Sequence, residues 1–239
     1  MSKWPKQLPP ITPEDQRICD EFMEHWHDVF PSRYSLADAF THRYPANHRP
    51  VQFLRTLEIG AGLGEHLKYE KLTSEQERNY VALEMRPNMA QRLRENWPGI
   101  QTYLGDCQKR LEFPDGWFDR ILAINVLEHL PDLPATIREM HRLCNKDSGR
   151  FSIVIPCEGG LAYALAREIS AKRIFQKKYK RPYHIFIGRE HINVPWEILG
   201  ELEPYFQMTH STYFPIPIKL EFCNLFIGAT FKLRPPAAQ

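Results

Sequence analysis

The sequence predicts an α/β fold: a seven-stranded, mostly parallel sheet whose last strand is antiparallel, with helices on both faces and a small helical cap. Two observations predict this class. Between residues 53 and 156, short apolar runs alternate with amphipathic stretches, as in parallel strands joined by right-handed crossover helices. After residue 205, two β-rich runs follow each other without a helix between them, which favours an antiparallel pair.

Residues 1–50 are predicted to form an N-terminal arm with lid-like helices. Prolines within the first 13 residues favour an irregular start. Thr12 can cap a helix that begins at Pro13, has apolar residues at helical spacing and ends near Pro31. A shorter helix is predicted at residues 36–44, and a connector bounded by prolines at residues 45–50.

Residues 51–156 are predicted to form the core of the domain. Its five parallel strands are predicted at residues 54–59, 80–83, 100–104, 118–124 and 151–155. Its crossover helices are predicted at residues 64–74, 87–97 and 133–143. Right-handed crossovers of this kind cover both faces of the sheet.

Residues 157–205 are predicted to form a basic helical cap, and residues 206–239 to supply the strands that complete the sheet. Within the cap, a helix-compatible stretch covers residues 161–175, a short element follows at residues 184–187, and a further helix lies at residues 195–202. The closing antiparallel pair is predicted at residues 206–214 and 222–231.

The composition indicates an ordinary globular protein and excludes several function classes. The 239 residues include 31 Lys and Arg against 29 Asp and Glu, a net charge of +2 that argues against a dedicated nucleic-acid binder. No apolar run is long enough to span a membrane, and the polar start lacks a secretory signal core. The five cysteines form no Cys-x-x-Cys pair, which predicts reduced thiols in a cytoplasmic protein and no zinc site.

The most informative segment is the glycine-rich turn after the first strand. Gly60, Gly62 and Gly64 let the backbone turn tightly and approach a ligand, and Glu84 ends the second strand 20 residues later, where a carboxylate can bind ribose hydroxyls. The Gly-x-Gly-x-Gly spacing departs from the dinucleotide fingerprint. The acidic Glu58 suits a ligand with cationic groups, such as S-adenosylmethionine. The alternative interpretation is a tight turn without a ligand.

Four motifs of the core, in this order, resemble those of the class I S-adenosylmethionine-dependent methyltransferases. They are Leu57 to Gly64, Val81 to Glu84, Leu104-Gly105-Asp106, and the stretch from Phe118 to Ile121 with the loop Asn125-Val126-Leu127-Glu128-His129-Leu130. The last motif is similar to the small-molecule branch that includes ubiquinone-type methyltransferases. The resemblance covers residues 53–155 and implies a Rossmann-like fold, an enzyme, and S-adenosylmethionine as cofactor.

The resemblance also implies roles for individual residues. Glu84 would bind the ribose, Met85 would lie beside the adenine, and Asp106 would face the adenine amino group. Capping of the next helix is the alternative role for Asp106. The complete predicted cofactor set is Glu58, Gly60, Ala61, Gly62, Gly64, Glu84, Met85, Asp106, Cys107 and Asn125.

Three residues are candidates for catalysis: His129, His191 and Glu128. Attack by an alcohol requires that its proton be removed, and a histidine has a suitable pKa for that task. His191 lies in an element similar to the family's His-x-x-x-Pro-x-Glu-x-Leu pattern. Structural roles remain the alternative: a helix-start pair for Glu128 and His129, and a bond to a loop carbonyl for His191. No required metal is predicted.

The cap is predicted to contact the acceptor. Between residues 167 and 181, seven basic residues stand against a single acid, Glu168. Such a patch can bind an anionic acceptor or an anionic membrane surface, and a solvated helix face is the alternative. The candidate acceptor-binding residues are Trp26, Tyr34, Lys177, Lys178, Tyr183 and His184.

These observations together predict a methyltransferase that methylates oxygen on a small anionic or carbohydrate-type acceptor. An N-methyltransferase and a lipid or quinone O-methyltransferase remain alternatives. A non-catalytic module of the same fold and an NAD-dependent oxidoreductase are the less favoured alternatives. The sequence leaves the oligomeric state open.

Overall fold

The computed structural model describes residues 3–235, without the side chains of residues 27, 28 and 31. Residues 1, 2 and 236–239, at the outer ends of the predicted arm and of the last segment, lie outside the described residues. One seven-stranded sheet is formed by β1 (Thr56–Ile59), β2 (Tyr80–Glu84), β3 (Gln101–Leu104), β4 (Arg120–Ile124), β5 (Arg150–Pro156), β6 (Phe206–Phe214) and β7 (Phe226–Leu233).

The strand order confirms the predicted fold class. It is β3-β2-β1-β4-β5-β7-β6, and the first five strands of this order are parallel. β7 runs antiparallel to both β5 and β6, so the closing antiparallel pair is also confirmed. β2 and β3 lie on one side of β1, whereas β4 and β5 lie on its other side, so the strand order reverses between β1 and β4. In open α/β sheets such a switch point is where ligands bind.

Nine α-helices occur among the described residues. They are α1 (Pro13–Arg33), α2 (Ser35–Asn47), α3 (Ser74–Arg78), α4 (Pro87–Asn96), α5 (Leu133–Leu143), α6 (Leu161–Ile169), α7 (Ala171–Tyr179), α8 (His184–Glu190) and α9 (Pro195–Leu202). Thr12 caps α1 as predicted, since its hydroxyl accepts a bond from the Asp15 N–H.

The two faces of the sheet differ in character. Alternate residues of β4, Ile121 and Ala123, belong to a large apolar core with α5 and α9. On the opposite face, Ile124 packs with Tyr44 of α2 in a second apolar cluster. That face also carries buried polar side chains, among them Arg120. One face of the sheet is therefore a dry core, and the other combines apolar packing with buried charge.

The predicted helix at residues 64–74 is wrong. A 3-10 helix, Glu65–Tyr69, forms instead, and α3 follows as a separate helix with a capping box at Thr73. The helix is interrupted because Glu70 has an extended backbone and Thr73, also extended, caps α3 with its side chain. His66 and Glu70 pair at 2.6 Å, and with Arg120 they form a buried ion cluster.

Two further boundary predictions are corrected. α2 continues through Pro45 to Asn47, where a connector was predicted, and the buried Arg120 donates to the Pro45 carbonyl at 2.9 Å. The stretch 161–175 is two helices, α6 and α7, because Ser170 has a non-helical backbone and its hydroxyl donates to the Ala166 carbonyl. No helix within residues 3–235 is long and apolar enough to cross a membrane.

Candidate active site

The glycine-rich turn follows β1 and has the backbone geometry that the sequence predicted. Gly60, Gly62 and Gly64 all have positive φ angles, of 62°, 58° and 81°. Side chains other than glycine rarely adopt such angles without strain. The N–H of Gly62 donates to Glu84 Oε2 at 3.0 Å, so this turn is tied to the end of β2.

Close packing makes glycine necessary at two of these positions. A Cβ atom built on Gly60 would lie 2.5 Å from Cγ2 of Val126, in the loop after β4. A Cβ on Gly64 would lie 2.5 Å from the indole nitrogen of Trp97, after α4. The turn thus lies directly against the loop that carries the predicted catalytic residues.

The carboxylate of Glu84 is buried at the carboxyl end of β2. Besides the bond from Gly62, its Oε1 accepts the N–H of Arg86 at 2.9 Å. A carboxylate oxygen can accept more than one hydrogen bond, so both oxygens remain able to bind ribose hydroxyls. The next residue, Met85, is exposed at the same edge, which suits contact with a planar base.

Asp106 and Cys107 follow β3 in a turn. Asp106 Oδ1 accepts the N–H of Gln108 at 2.9 Å, so it orders its own turn, and no helix follows for it to cap. Cys107 is buried, and burial raises the pKa of its thiol to about 12. The hydroxyl of Thr136 donates to its sulfur at 3.8 Å, so Cys107 is a neutral packing residue in this structure.

Asn125 ends β4 with two unusual features. Its φ angle is 52°, in the left-handed region, and its buried Oδ1 has no hydrogen-bond partner within the described residues. Strained backbone and an unpaired buried polar atom are both costly, and they concentrate at functional sites. An amide oxygen that lacks a partner beside the glycine turn fits a ligand that donates hydrogen bonds, as the ammonium of S-adenosylmethionine would.

Glu58 points to the polar face of the sheet from the middle of β1. Its Oε2 accepts the hydroxyl of Tyr80 at 2.6 Å, and burial raises the pKa of its carboxyl to about 8. The side chain therefore carries a proton at neutral pH in this structure. Its predicted role toward the cationic part of the cofactor stays a prediction.

The three predicted catalytic residues come together where the loop after β4 meets the cap. One ligand-type atom each of Glu128, His129 and His191 lies within 4.8 Å of the others. Two further carboxylates orient the imidazoles: Glu158 lies 3.0 Å from Nδ1 of His191, and Glu190 lies 3.3 Å from Nδ1 of His129. We call these five residues the His–Glu cluster.

The cluster places buried ionisable groups close to one another. Glu128 is only 1% exposed, and its Oε2 has no hydrogen-bond partner among the described residues. Burial raises the pKa of Glu128. Burial alone would lower the pKa of His129, but Glu190 and Glu128 outweigh it and raise that pKa. The carboxyl of Glu128 and the imidazole of His129 thus both have their pKa values raised, by burial in the first case and by neighbouring carboxylates in the second.

Backbone hydrogen bonds join the cap to the loop after β4. The carbonyl of Glu128 accepts the N–H groups of Ile192 and Asn193, both at 3.0 Å. The buried Asn193 amide donates to the carbonyls of Leu127 and Leu130, each at 2.8 Å. These contacts fix His191 beside His129, with ring centroids 5.2 Å apart.

The spacing of Glu128, His129 and His191 would also suit a metal ion. Imidazole and carboxylate are ordinary metal ligands, but the same groups form proton-transfer pairs without a metal. Each imidazole already has a carboxylate partner in the cluster. The expectation that no metal is required stays a prediction.

The six predicted acceptor residues do not form one site. Tyr183 and His184 line a groove of about 300 Å³ in the cap, together with Arg167 and Lys172. Lys177 and Lys178 line a separate groove, and Lys178 pairs with Glu21 at 3.2 Å. Trp26 and Tyr34 belong to a column of aromatic rings along α1, with centroids 5.9 Å apart.

The pairings around the two predicted catalytic histidines were not predicted. The segment after β5, residues 156–160, was expected near the methyl group because it lies at the carboxyl end of a strand, but Glu158 was not singled out within it. Arg167 of α6 donates to Glu158, and the ring of Tyr163 stacks on His191 at 6.1 Å. Glu190 had no sequence signal, because its pairing with His129 depends on how the cap folds.

Known proteins confirm the interpretation of the core. Residues 57–153 match the family model described as a methyltransferase domain. No curated protein is significantly similar to the chain.

Solved structures share the fold at low sequence identity. A TehB-like S-adenosylmethionine-dependent methyltransferase from Corynebacterium glutamicum has a TM-score of 0.59 and 16% identity, and the match covers 90% of this chain and 98% of that one. An S-adenosylmethionine-dependent methyltransferase from Thermotoga maritima, with histamine N-methylation as its suggested activity, has a TM-score of 0.62 and 17% identity, with coverage of 91% and 99%. The [4+2]-cyclase SpnF has a TM-score of 0.55 and 13% identity, with coverage of 82% and 81%.

The glycine turn, the acidic end of β2, the strand order and the family match over residues 57–153 therefore agree. S-adenosylmethionine is the cofactor that these features imply. Residues 57–153 thus match a methyltransferase domain, and the chain shares its fold with solved S-adenosylmethionine-dependent methyltransferases.

Proposed function

We propose that the protein methylates a hydroxyl oxygen on a small acceptor that is anionic or carbohydrate-like. The observation that carries this proposal is the His–Glu cluster beside the glycine turn. A neutral amine can attack a methyl group without losing a proton first, whereas an alcohol benefits from a base. Two histidines, each paired with a carboxylate, are groups that can supply such a base.

The residues of the chain have separable roles in this proposal. S-adenosylmethionine, when bound, supplies an activated methyl group. The turn at Gly60 to Gly64, together with Glu84 and Asn125, would hold the cofactor, and the acceptor would lie under the cap. Most of the acceleration then comes from holding the two reactants in position.

His191 and His129 are the proposed bases. A proton on Nδ1 of His191, donated to Glu158 at 3.0 Å, leaves Nε2 with the lone pair that accepts the hydroxyl proton. The ion pair of Glu158 with Arg167 keeps that carboxylate charged. Burial raises the pKa of Glu158, but His191 and Arg167 outweigh it and lower that pKa.

The anionic character of the acceptor is supported by Arg173, Lys177 and Lys180 of the cap, which pair with no carboxylate among the described residues. Arg167 and Lys172 line a groove in the cap, but they pair with Glu158 and Glu168. Tyr183 and His184 in the same groove offer a flat ring and polar donors that suit a sugar. We also propose that the protein acts in the cytoplasm, in keeping with its five free cysteines.

Transfer to nitrogen is the second candidate. One observation favours it, namely the histamine N-methylation suggested for the Thermotoga maritima protein of similar structure. The similarity to the cyclase SpnF is a reminder that this fold also hosts other reactions.

The proposal is tested by incubating the purified protein with methyl-labelled S-adenosylmethionine and a panel of sugar, hydroxy-acid, phosphorylated and amine acceptors. We expect a labelled methyl group in an ether of an anionic or sugar-like product, to the same extent with and without EDTA. Label in amines only would overturn O-methylation. A loss of activity in EDTA would overturn the metal-free form of the proposal.

The pH dependence tests the role of His129. A base must be unprotonated, and the pKa of His129 is raised above its usual 6.5, so we expect kcat to increase as the pH rises through that raised value. Glu190→Gln removes the charge that raises this pKa, and its inflection should move to lower pH. Glu112→Gln, at an exposed site away from the cluster, is the control and should leave the profile unchanged. An unmoved inflection in Glu190→Gln would mean that another group titrates.

A further inference from the structure

Helix α6 exposes an apolar stripe to solvent. Leu161, Leu165 and Ile169 repeat every fourth residue along one side of the helix and are 61%, 58% and 75% exposed. Helical residues with this spacing share one face. A soluble helix normally turns such a stripe toward the core, so the stripe lacks a partner within residues 3–235.

A second exposed apolar segment lies against the start of α6. In the loop between β6 and β7, Ile216, Ile218, Leu220 and Phe222 are between 40% and 57% exposed. A Cβ on Gly160, just before α6, would lie 2.8 Å from the Glu221 carbonyl, so the two segments are in contact. We call the seven side chains of both segments the apolar face.

The loop that bears half of this face is held in place. The buried Asn224 accepts the N–H of Ile216 at 2.8 Å. Its amide donates to the carbonyls of Ile218 and Leu220, at 3.2 and 2.9 Å. The apolar side chains are therefore presented to solvent by an ordered loop, and contiguous exposed patches of this kind mark interaction sites.

Positive charge lies in the loop of the apolar face, at Lys219, and on α7, the helix that follows α6. Four of the seven basic residues between 167 and 181 pair with carboxylates in the structure. Arg173, Lys177 and Lys180 of the cap have no described carboxylate partner, and neither does Lys219 within the loop. This charge is complementary to an anionic surface.

We propose that the apolar face is a membrane-docking surface that enters the interface of an anionic lipid bilayer, with Arg173, Lys177, Lys180 and Lys219 bound to lipid phosphates. Lysine is depleted at protein–protein interfaces, whereas basic residues beside exposed apolar side chains are typical of interfacial membrane binding. α6 has only nine residues, so the protein lies on the membrane and does not span it.

The same helix links this surface to the candidate active site. On its inner side, Tyr163 stacks on His191 and Arg167 binds Glu158. α6 therefore separates the His–Glu cluster from the bilayer by the width of one helix. This link rests on the proposed function: the acceptor would be an amphiphile with an anionic or sugar headgroup that enters beside α6.

The test measures binding of the full-length protein to lipid vesicles by sedimentation, without any methyl transfer. We expect binding to vesicles of phosphatidylcholine mixed with phosphatidylglycerol, and weak binding to phosphatidylcholine alone. Leu165→Gln and Phe222→Gln should each weaken binding by about tenfold, since each removes a buried apolar side chain from the lipid. Leu36→Gln alters a leucine that is 77% exposed on α2, and this matched control should bind as the wild type does.

Charge variants and the oligomeric state complete the test. Arg173→Gln combined with Lys177→Gln should remove the preference for anionic vesicles, because each basic residue contributes to that attraction. Binding of S-adenosylhomocysteine by every variant shows that it is folded. Equal binding by Leu165→Gln and the wild type would overturn the proposal. A wild-type protein that is a dimer and does not bind vesicles, together with a monomeric Leu165→Gln variant, would show that the apolar face contacts a second copy of the chain. That result would overturn the proposal as well.

A failure of the proposed function leaves a different pattern. Vesicle binding with no O-methylated product would contradict the reaction and support the docking surface. O-methylation of soluble acceptors without vesicle binding would support the reaction and contradict the docking surface.

Discussion

Replacement of Gly60 by alanine is expected to weaken the binding of S-adenosylhomocysteine severely. The new Cβ would lie 2.5 Å from Val126, and the φ angle of 62° disfavours any side chain. The left-handed backbone and the overpacking together cost roughly 2 to 5 kcal/mol, which corresponds to a loss of affinity of roughly 30- to 5,000-fold if the loop moves to relieve them. Calorimetric titration measures this loss.

Gly116→Ala is the matched control for backbone strain alone. Gly116 has a φ angle of 67°, but its nearest neighbours would lie 3.9 Å from a new Cβ. It lies in the loop between β3 and β4, outside the proposed cofactor set, so its variant should lose some stability and keep its affinity for S-adenosylhomocysteine. Wild-type affinity in Gly60→Ala would contradict the assignment of the turn to the cofactor.

Neutralising Glu70 is expected to give the largest loss of stability. Glu70 lies beneath the glycine turn, 2.5 Å from Nη2 of the fully buried Arg120 and 2.6 Å from Nε2 of His66. Removal of one partner leaves the other charge buried and uncompensated, at a cost of about 3 to 5 kcal/mol in the free energy of unfolding. We expect this loss for Glu70→Gln in urea unfolding followed by circular dichroism at neutral pH.

The pH dependence of this effect has a defined sign. Burial raises the pKa of Glu70, but the His66 hydrogen bond and the charge of Arg120 outweigh it and hold that pKa at about 2. A depressed pKa stabilises the fold above the unfolded value of 4.5 and ceases to do so as the pH falls toward 2. The difference between wild type and Glu70→Gln should therefore shrink over that range.

Asp115→Asn is the control for an ion pair at the surface. Asp115 is 65% exposed where it pairs with Arg142, and its removal should change stability little. Equal stability of Glu70→Gln and wild type at neutral pH would contradict the structural role of the buried ion cluster.

The sequence was sufficient for the features that depend on local pattern. Alternating apolar runs predicted all seven strands, because parallel strands and their crossovers have characteristic lengths. The glycine spacing predicted a tight turn after the first strand, and close packing against Val126 leaves no room for a Cβ atom at Gly60. Binding of the cofactor by this turn and Glu84 stays a prediction. Each of these signals depends on a short stretch of the sequence.

Features that depend on distant pairing were not predictable in the same way. Glu158 and His191 are 33 positions apart, and only the folded cap brings them together. The 3-10 helix that stands in place of the predicted helix at residues 64–74 ends at Glu70, which pairs with Arg120, 50 positions further along the chain. The periodicity of α6 was visible in the sequence, but the side of the helix that faces solvent was not.

Cofactor identity is the central claim, and calorimetric titration of the purified full-length protein tests it most directly. We expect saturable binding of S-adenosylhomocysteine and no binding of NAD. Saturable binding of NAD with no response to S-adenosylhomocysteine would contradict the assignment of the glycine turn, Glu84 and Asn125 to S-adenosylmethionine.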